Sequence, residues 1–388
     1  MKLFKRLWPL YVGLFFQGMV FWYVIEKLFM NKLGFNSALI GVSVAIISIV
    51  ALLTEIPSGI LADRWSRKNA LALSSIALIV CAAVGAISSN TLIYLICSAF
   101  FGLYVALSSG TTESMIYDVL IEEKNDTKNY EHEYGKTEVC YSIALILSAV
   151  IGGIICQYIS IRASYLLSIP TALISAIFIL IFKEPKLHMK NQEKSLIKHI
   201  KLTFGSVFKN KNLFLLIISL LSSTIIFSIL IEMGQIWIVA LSAPIMVYSV
   251  MQSLNTSVFG IGGMLSRFIK SKQNMIIGMI ITLISLLCLV YSRDIYVIVF
   301  AVFLILLFLC GIRIIITHII LDSLPPQVRA GSLSSISAVN RMFVIPISIF
   351  FGFLAIKINI FSTGWLLIAL LIISLFAFVF NKLGYKDE

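Results

Sequence analysis

Of 388 residues, 60% are hydrophobic and only 12% are charged, and the mean hydropathy is +1.02. A soluble domain carries roughly 25% charged residues, so this composition excludes a soluble enzyme, a disordered tail and a disulfide-stapled secreted domain. A polytopic membrane protein remains, with 30 basic and 18 acidic residues and a net charge of +12.

A helix needs about 20 apolar residues to cross a hydrocarbon core of about 30 Å. In chain order, such runs lie at 8–30, 37–61, 70–88, 91–114, 138–158 and 162–182. A second set follows at 213–239, 244–266, 274–292, 295–317, 333–355 and 361–380. The first run is too long for the apolar region of a signal peptide and lacks a small-residue cleavage site, so it reads as a span. The run at 213–239 is long enough to tilt or to continue as an outer turn. Twelve spans give an N-terminal six-helix bundle over 1–182, a linker over 183–212 and a C-terminal six-helix bundle over 213–388. Within the linker, Leu196, Ile197, Ile200, Phe204, Val207 and Phe208 recur at helical spacing among lysines. This pattern predicts an amphipathic helix in the cytoplasmic interface, with a solvated basic linker as the alternative.

Basic residues concentrate on cytoplasmic loops. With the N-terminus inside, 23 of the 30 fall on inside segments and five outside. Both termini are therefore expected in the cytoplasm, and the net charge faces the anionic inner leaflet rather than nucleic acid. The six cysteines all lie in apolar runs without metal-ligand spacing and read as small reduced core residues. No Walker-type loop, HExxH, CxxC or nucleophile elbow is present, so neither a primary pump nor an enzyme is expected.

The loop after the second span reads Gly59-Ile60-Leu61-Ala62-Asp63-Arg64-Trp65-Ser66-Arg67-Lys68. Glu55-Ile56-Pro57-Ser58 precedes it, and Ser109–Glu113, Tyr117-Asp118, Lys183-Glu184-Pro185 and Pro325–Ala330 follow later. Together with the 6+6 plan, these segments resemble bacterial members of the major facilitator superfamily over the whole chain. The resemblance implies an all-α membrane fold of twelve transmembrane helices in two pseudo-symmetric bundles. It also implies a cytoplasmic gate built from Gly59, Asp63, Arg64, Arg67, Lys68 and Asp118. Gly59 permits close helix approach. Asp63 and Arg67 are four apart, a spacing that places both on one face at the helix end. Anchoring of topology alone is the alternative role for the basic cluster. An offset of 204 residues relates Gly59–Asp63 to Gly263–Arg267 and Asp118 to Asp322, as in transporters built from internal repeats. Arg267 stands where the first copy has Asp63, so the two copies are not chemically equivalent.

Leaving aside the terminal residues of each run, seven charged residues fall inside spans: Glu26, Lys27, Glu55, Glu113, Glu232, Arg313 and Arg341. Each costs at least ~2.5–3.5 kcal/mol at a helix centre and needs a cavity or a partner. Glu26 and Glu232 lie in corresponding spans that face a central cavity in the resembled fold, which makes them candidates for proton or cation exchange. The alternative pairs Glu26 with Lys27 and gives Glu232 a local hydrogen bond. Glu113 and Arg313 are a further candidate for substrate or proton coupling, and Glu55 with Arg341 a second candidate pair; helix-packing glue is the rival for both. His318, near Arg313 and Asp322, is either a titrating group or an interfacial polar one. Trp22, Tyr23, Tyr104, Trp237 and Tyr248 offer aromatic wall for apolar or cationic compounds, while Trp8 and Trp365 suit the interfacial belt.

Proton antiporters of the resembled superfamily usually carry an arginine where this chain has Ser98, and a glycine-proline pair in span five that is absent here. The expectation is nonetheless a monomeric secondary transporter of the bacterial cytoplasmic membrane that works by alternating access. It moves a small amphipathic compound outward and uses no cofactor beyond a proton gradient. Its rivals are a proton-coupled nutrient importer, a lipid flippase and a non-transporting receptor or scaffold.

Overall fold

The computed structural model describes residues 2–64, 66–109, 111–124, 130–185, 210–323 and 326–382, with side chains at 2, 56, 58–64, 124, 131 and 326–335 outside that description. The amphipathic linker helix expected within 183–212 lies almost wholly outside it. The regular structure of the described residues is all helical, with no strand.

Helix α1 (Lys2–Gly18) ends in an irregular stretch and a 3-10 turn at Tyr23–Ile25, and α2 (Glu26–Lys32) completes the first span. The expected continuous span is thus broken, and a neighbouring helix takes up the freed backbone groups. The Phe21 N–H donates to Ser168 Oγ at 3.0 Å, and Thr171 Oγ1 donates to the Met19 carbonyl at 2.9 Å. Helix α2 stops in a turn where the Phe35 N–H reaches the Met30 carbonyl and Gly34 takes φ +88°, a left-handed conformation suited to glycine.

Next come α3 (Ser37–Arg64), α4 (Arg67–Ile87), α5 (Thr91–Ser108), α6 (Thr111–Lys124), α7 (Tyr130–Tyr158) and α8 (Ile161–Ile181). The remainder is α9 (Lys211–Met233), α10 (Gln235–Ala240), α11 (Ile245–Ser266), α12 (Lys272–Tyr291), α13 (Ile295–Ser323), α14 (Pro326–Lys357) and α15 (Gly364–Val379). Side chains of Ser66, Asn90, Ser160, Asn210 and Ser271 cap the N-termini of α4, α5, α8, α9 and α12. Among the described residues, eleven helical segments are long and apolar enough to span a membrane. The twelfth expected span is α11, whose Ser249, Gln252, Ser253, Asn255, Thr256 and Ser257 make it less apolar.

The chain divides into two compact units. The first comprises Met1–Phe35, Ile46–Asn191 and Pro244–Thr256; the second comprises Asn36–Ala45, Gln192–Ala243 and Ser257–Glu388. In the first, α4 packs on α5 and α8, and α1 packs on α7 and α8. Leu7, Leu10, Leu71, Met115, Val119 and Phe182 form its buried core. In the second, α12 packs on α13 and α15, and α9 on α13 and α15, around Leu216, Met279, Ile312, Ile316 and Phe378.

Apolar burial provides little drive between helices in lipid, so polar pairs and small residues hold each unit together. Gln17 donates to Ser74 and Ser75 in the first unit, and Ser75 pairs with Ser175. Ser374 pairs with Ser219 and Ser223 in the second. Also in the second unit, an added Cβ at Gly41 would meet the Ser348 carbonyl oxygen at 2.3 Å, and one at Gly352 would meet that of Ser37 at the same distance. Gly41→Val and Gly352→Val are therefore each expected to force the backbones apart and lower the melting temperature, by roughly 1–3 kcal/mol of stability. Thermal unfolding of the purified protein checks this.

Candidate functional site

An open cavity of about 230 Å³ lies within the first unit, lined by α1, α5, α6 and α7 and the Ser109 that follows α5. Helical spacing explains its composition. Tyr134, Thr137, Glu138 and Tyr141 share one face of α7, as do Leu14 and Gln17 on α1, and Tyr104 and Ser108 on α5. Glu113 enters from the first turn of α6, just after the helix breaks between Ser108 and Thr111.

The Tyr134 hydroxyl donates to Glu113 Oε1 at 3.2 Å, and the Tyr104 and Tyr141 hydroxyls pair at 3.2 Å. The Tyr134 hydroxyl also interacts with the Glu138 carboxylate, and the two glutamates act on each other electrostatically. Among the described residues, no lysine, arginine or histidine lines the cavity. Glu113 was legible from the sequence, but Glu138 was not. The fifth span was expected to begin at 138, whereas α7 begins eight residues earlier, at Tyr130. The recurrence of Tyr130, Tyr134, Glu138 and Tyr141 at helical spacing was the available signal.

Glu26 and Lys27 form a separate buried pair near the C-terminal end of the first span. Lys27 Nζ lies 2.5 Å from Glu26 Oε2, and the two residues are 2% and 4% exposed. The Tyr94 hydroxyl donates to Glu26 Oε1 at 3.3 Å and pairs with the Tyr165 hydroxyl at 2.8 Å. Trp22 stacks on the Tyr165 ring at 5.0 Å and 8°. Of the two readings of Glu26, the structure displays the one in which Lys27 neutralises it. Trp22, Trp237 and Tyr248 are fully buried in packing, so Tyr104 is the member of the expected aromatic wall that lines this cavity.

At the end of the first unit near the N-terminus, a charged cluster surrounds the start of α4. Arg67 Nη1 lies 2.5 Å from Asp118 Oδ2. Glu184 accepts from Ser66 Oγ at 2.5 Å, from the Arg67 N–H at 2.7 Å and from the Lys68 N–H at 3.3 Å. A carboxylate at a helix N-terminus also suits the helix dipole. Arg6 bridges Glu122 and Glu123 at 2.9 and 2.6 Å, and Lys68 Nζ donates to the Leu180 carbonyl. The shared-face reading of Asp63 and Arg67 is corrected here: α3 ends at Arg64 and α4 begins at Arg67, so the two residues belong to different helices. The side chains of Gly59, Asp63 and Arg64 lie outside the described residues.

The remaining candidates divide between the units. Glu55 and Glu113 belong to the first, and Glu232, Arg313 and Arg341 to the second. Glu55, Glu232 and Arg341 are half-buried. The Arg313 guanidinium lies 4.4 Å from the Phe227 ring centroid, a cation–π contact. His318 Nδ1 lies 3.2 Å from Asp322 Oδ2, one helical turn along α13. Asp322 therefore meets a histidine where its repeat partner Asp118 meets an arginine. Trp8 and Trp365 are exposed. Among the described residues, no group of three His, Cys, Asp or Glu side chains is arranged to hold a metal ion.

The family model for the Major Facilitator Superfamily matches residues 7–341. The nucleoside transporter NupG is similar in structure, with a TM-score of 0.76 at 16% identity over 100% of each chain. A bacterial homologue of the human lysosomal transporter Spinster, in an inward-facing and occupied conformation, gives 0.73 at 13% identity over 98% of this chain and 97% of that one. No curated protein sequence matches the chain. Identities this low carry the fold and nothing of the substrate.

Proposed function

Since the chain belongs to the major facilitator superfamily, we propose that it is a secondary active transporter that exports a small amphipathic compound by alternating access, in exchange for protons. The observation that carries this reading is the cavity of the first unit, where Glu113 and Glu138 meet three tyrosines. A pocket of apolar and aromatic surface with a few convergent polar groups suits a small molecule. Two carboxylates that act on each other are a natural store for one exchangeable proton. In this reading the proton leaves the pair when substrate enters and returns when substrate departs, so the two occupancies exclude each other.

The membrane is the bacterial cytoplasmic membrane, with both termini inside and a monomer as the working unit. The charged cluster at the start of α4 then faces the cytoplasm. Arg67, Asp118 and Glu184, with Gly59, Asp63, Arg64 and Lys68, form the gate on that side. Glu232, Arg313, Glu55 and Arg341 are secondary candidates for coupling, and Glu26 is assigned with Lys27 to structure.

Vesicles containing the purified protein, given an imposed pH gradient and a panel of amphipathic compounds, test the proposal. Substrate-dependent proton flux is expected in the wild type and is expected to fall at least about tenfold in Glu113→Gln and in Glu138→Gln. Wild-type flux in both variants would refute the coupling assignment. Substrate moving with the proton rather than against it would reverse the direction to uptake.

A further inference from the structure

We infer that the cavity of the first unit seats an organic ammonium group, so that the transported compound is a small organic cation. This rests on the transporter reading above and narrows it to a substrate class. Among the described residues, eleven line the space, and their charges are two glutamates arriving from different helices, with no cation among them. The contrast with Glu133, on the same helix α7, is direct. Glu133 is buried, accepts from the Tyr11 hydroxyl at 2.5 Å and pairs with Lys136 at 2.9 Å, so its countercharge is built in. Glu113 and Glu138 face a cavity whose described lining supplies hydroxyls but no countercharge.

The rest of the lining selects the kind of cation. A hard metal ion takes six or more oxygen ligands in a compact shell, whereas here two carboxylates are spread among three tyrosine rings. Tyr104, Tyr134 and Tyr141 present aromatic surface beside the acids, the combination that recognises alkylated ammonium groups. The Tyr134 hydroxyl holds one oxygen of Glu113 and fixes the direction of its carboxylate. A volume of about 230 Å³ is below that of pockets for drug-sized ligands, so the fitting guest is a head group or a small amine. Anionic compounds would meet two like charges.

The test compares benzyltrimethylammonium with its uncharged isostere neopentylbenzene, binding to the full-length protein in lipid nanodiscs. The cation is expected to bind at least about tenfold tighter, the scale of one charge-assisted contact. Glu113→Gln and Glu138→Gln are each expected to weaken the cation at least about tenfold and to leave the neutral compound unchanged. Glu113→Asp and Glu138→Asp keep the charge and are expected to retain the preference. Melting temperatures identify any variant that fails to fold. Equal binding of the two probes, an undiminished preference in a folded Gln variant, or its loss in the folded Asp variants overturns the inference. Proton flux is measured in parallel: cation binding without any flux upholds the ammonium seat while refuting transport, and flux of neutral compounds with no cation preference does the reverse.

Discussion

Lys27→Met is expected to lower the melting temperature steeply, whereas Glu26→Gln with Lys27→Met is expected to restore most of the loss. Both side chains are buried, and their charged atoms lie 2.5 Å apart. Removing the ammonium leaves a carboxylate in a site from which water is excluded, with Tyr94 as its hydroxyl donor. Breaking a buried pair in this way costs about 3–5 kcal/mol, while replacing both charges with neutral groups of similar volume is often close to neutral. A stability of 5–15 kcal/mol is typical of folded proteins, so the single change removes a large share of it. Glu26→Gln alone, which leaves the ammonium facing a neutral amide, should fall on the same side as Lys27→Met. Thermal unfolding of the four proteins, detected as the monodisperse fraction, gives the coupling energy directly.

The same four proteins decide what Glu26 is for. If the double variant folds and exchanges substrate for protons, Glu26 is structural and the coupling carboxylates lie elsewhere. If it folds and transports without proton coupling, Glu26 is the coupling group, and the assignment to Glu113 and Glu138 fails. The sequence left both roles open because adjacency along a helix does not place two side chains together. The irregular stretch before Glu26, with its 3-10 turn at Tyr23–Ile25, sets their orientation.

Hydropathy located most of the spans, some of their ends only to within six to nine residues, because crossing the hydrocarbon core demands a length of apolar chain whatever the tertiary contacts. It did not reveal where those spans break. The interruption after Gly18 depends on Ser168 and Thr171 satisfying backbone groups, and these partners lie about 150 residues away. The start of α7 was misjudged for a related reason. His132, Glu133 and Lys136 read as loop, yet the helix runs through them, with Glu133 accepting a hydrogen bond from Tyr11 and paired with Lys136. That misjudged boundary hid Glu138 and with it half of the candidate site. Asp63 and Arg67 show the converse error, a correct motif given a helical spacing that the end of α3 at Arg64 and the start of α4 at Arg67 remove. His318 and Asp322, one turn apart on α13, were readable as neighbours, whereas groups that meet through packing of distant segments were not.

Glu184→Ala is expected to destabilise the first unit by about 2–3 kcal/mol and to impair transport beyond that loss. The carboxylate accepts from Ser66 Oγ, the Arg67 N–H and the Lys68 N–H. Two of these donors are amides at the start of α4, which have no partner within their own helix. Hydrogen bonds to a charged group contribute about 1.5–3 kcal/mol, and orphaned donors at a part-buried site carry a further desolvation cost. Asn69 retains its bond to Ser66 Oγ, so α4 keeps one cap and the unit is expected to fold. The effect on transport follows from position. Glu184 fixes the backbone at Arg67, and the Arg67 side chain reaches Asp118 on α6. Freed backbone there loosens the Arg67–Asp118 pair without altering either residue. Glu184→Gln keeps an acceptor of similar shape but loses the charge, so it should retain roughly half of the lost stability. If the cluster gates transport, turnover in Glu184→Gln should fall further than its melting temperature does. Turnover that follows stability alone in both variants would make the cluster a helix cap and nothing more.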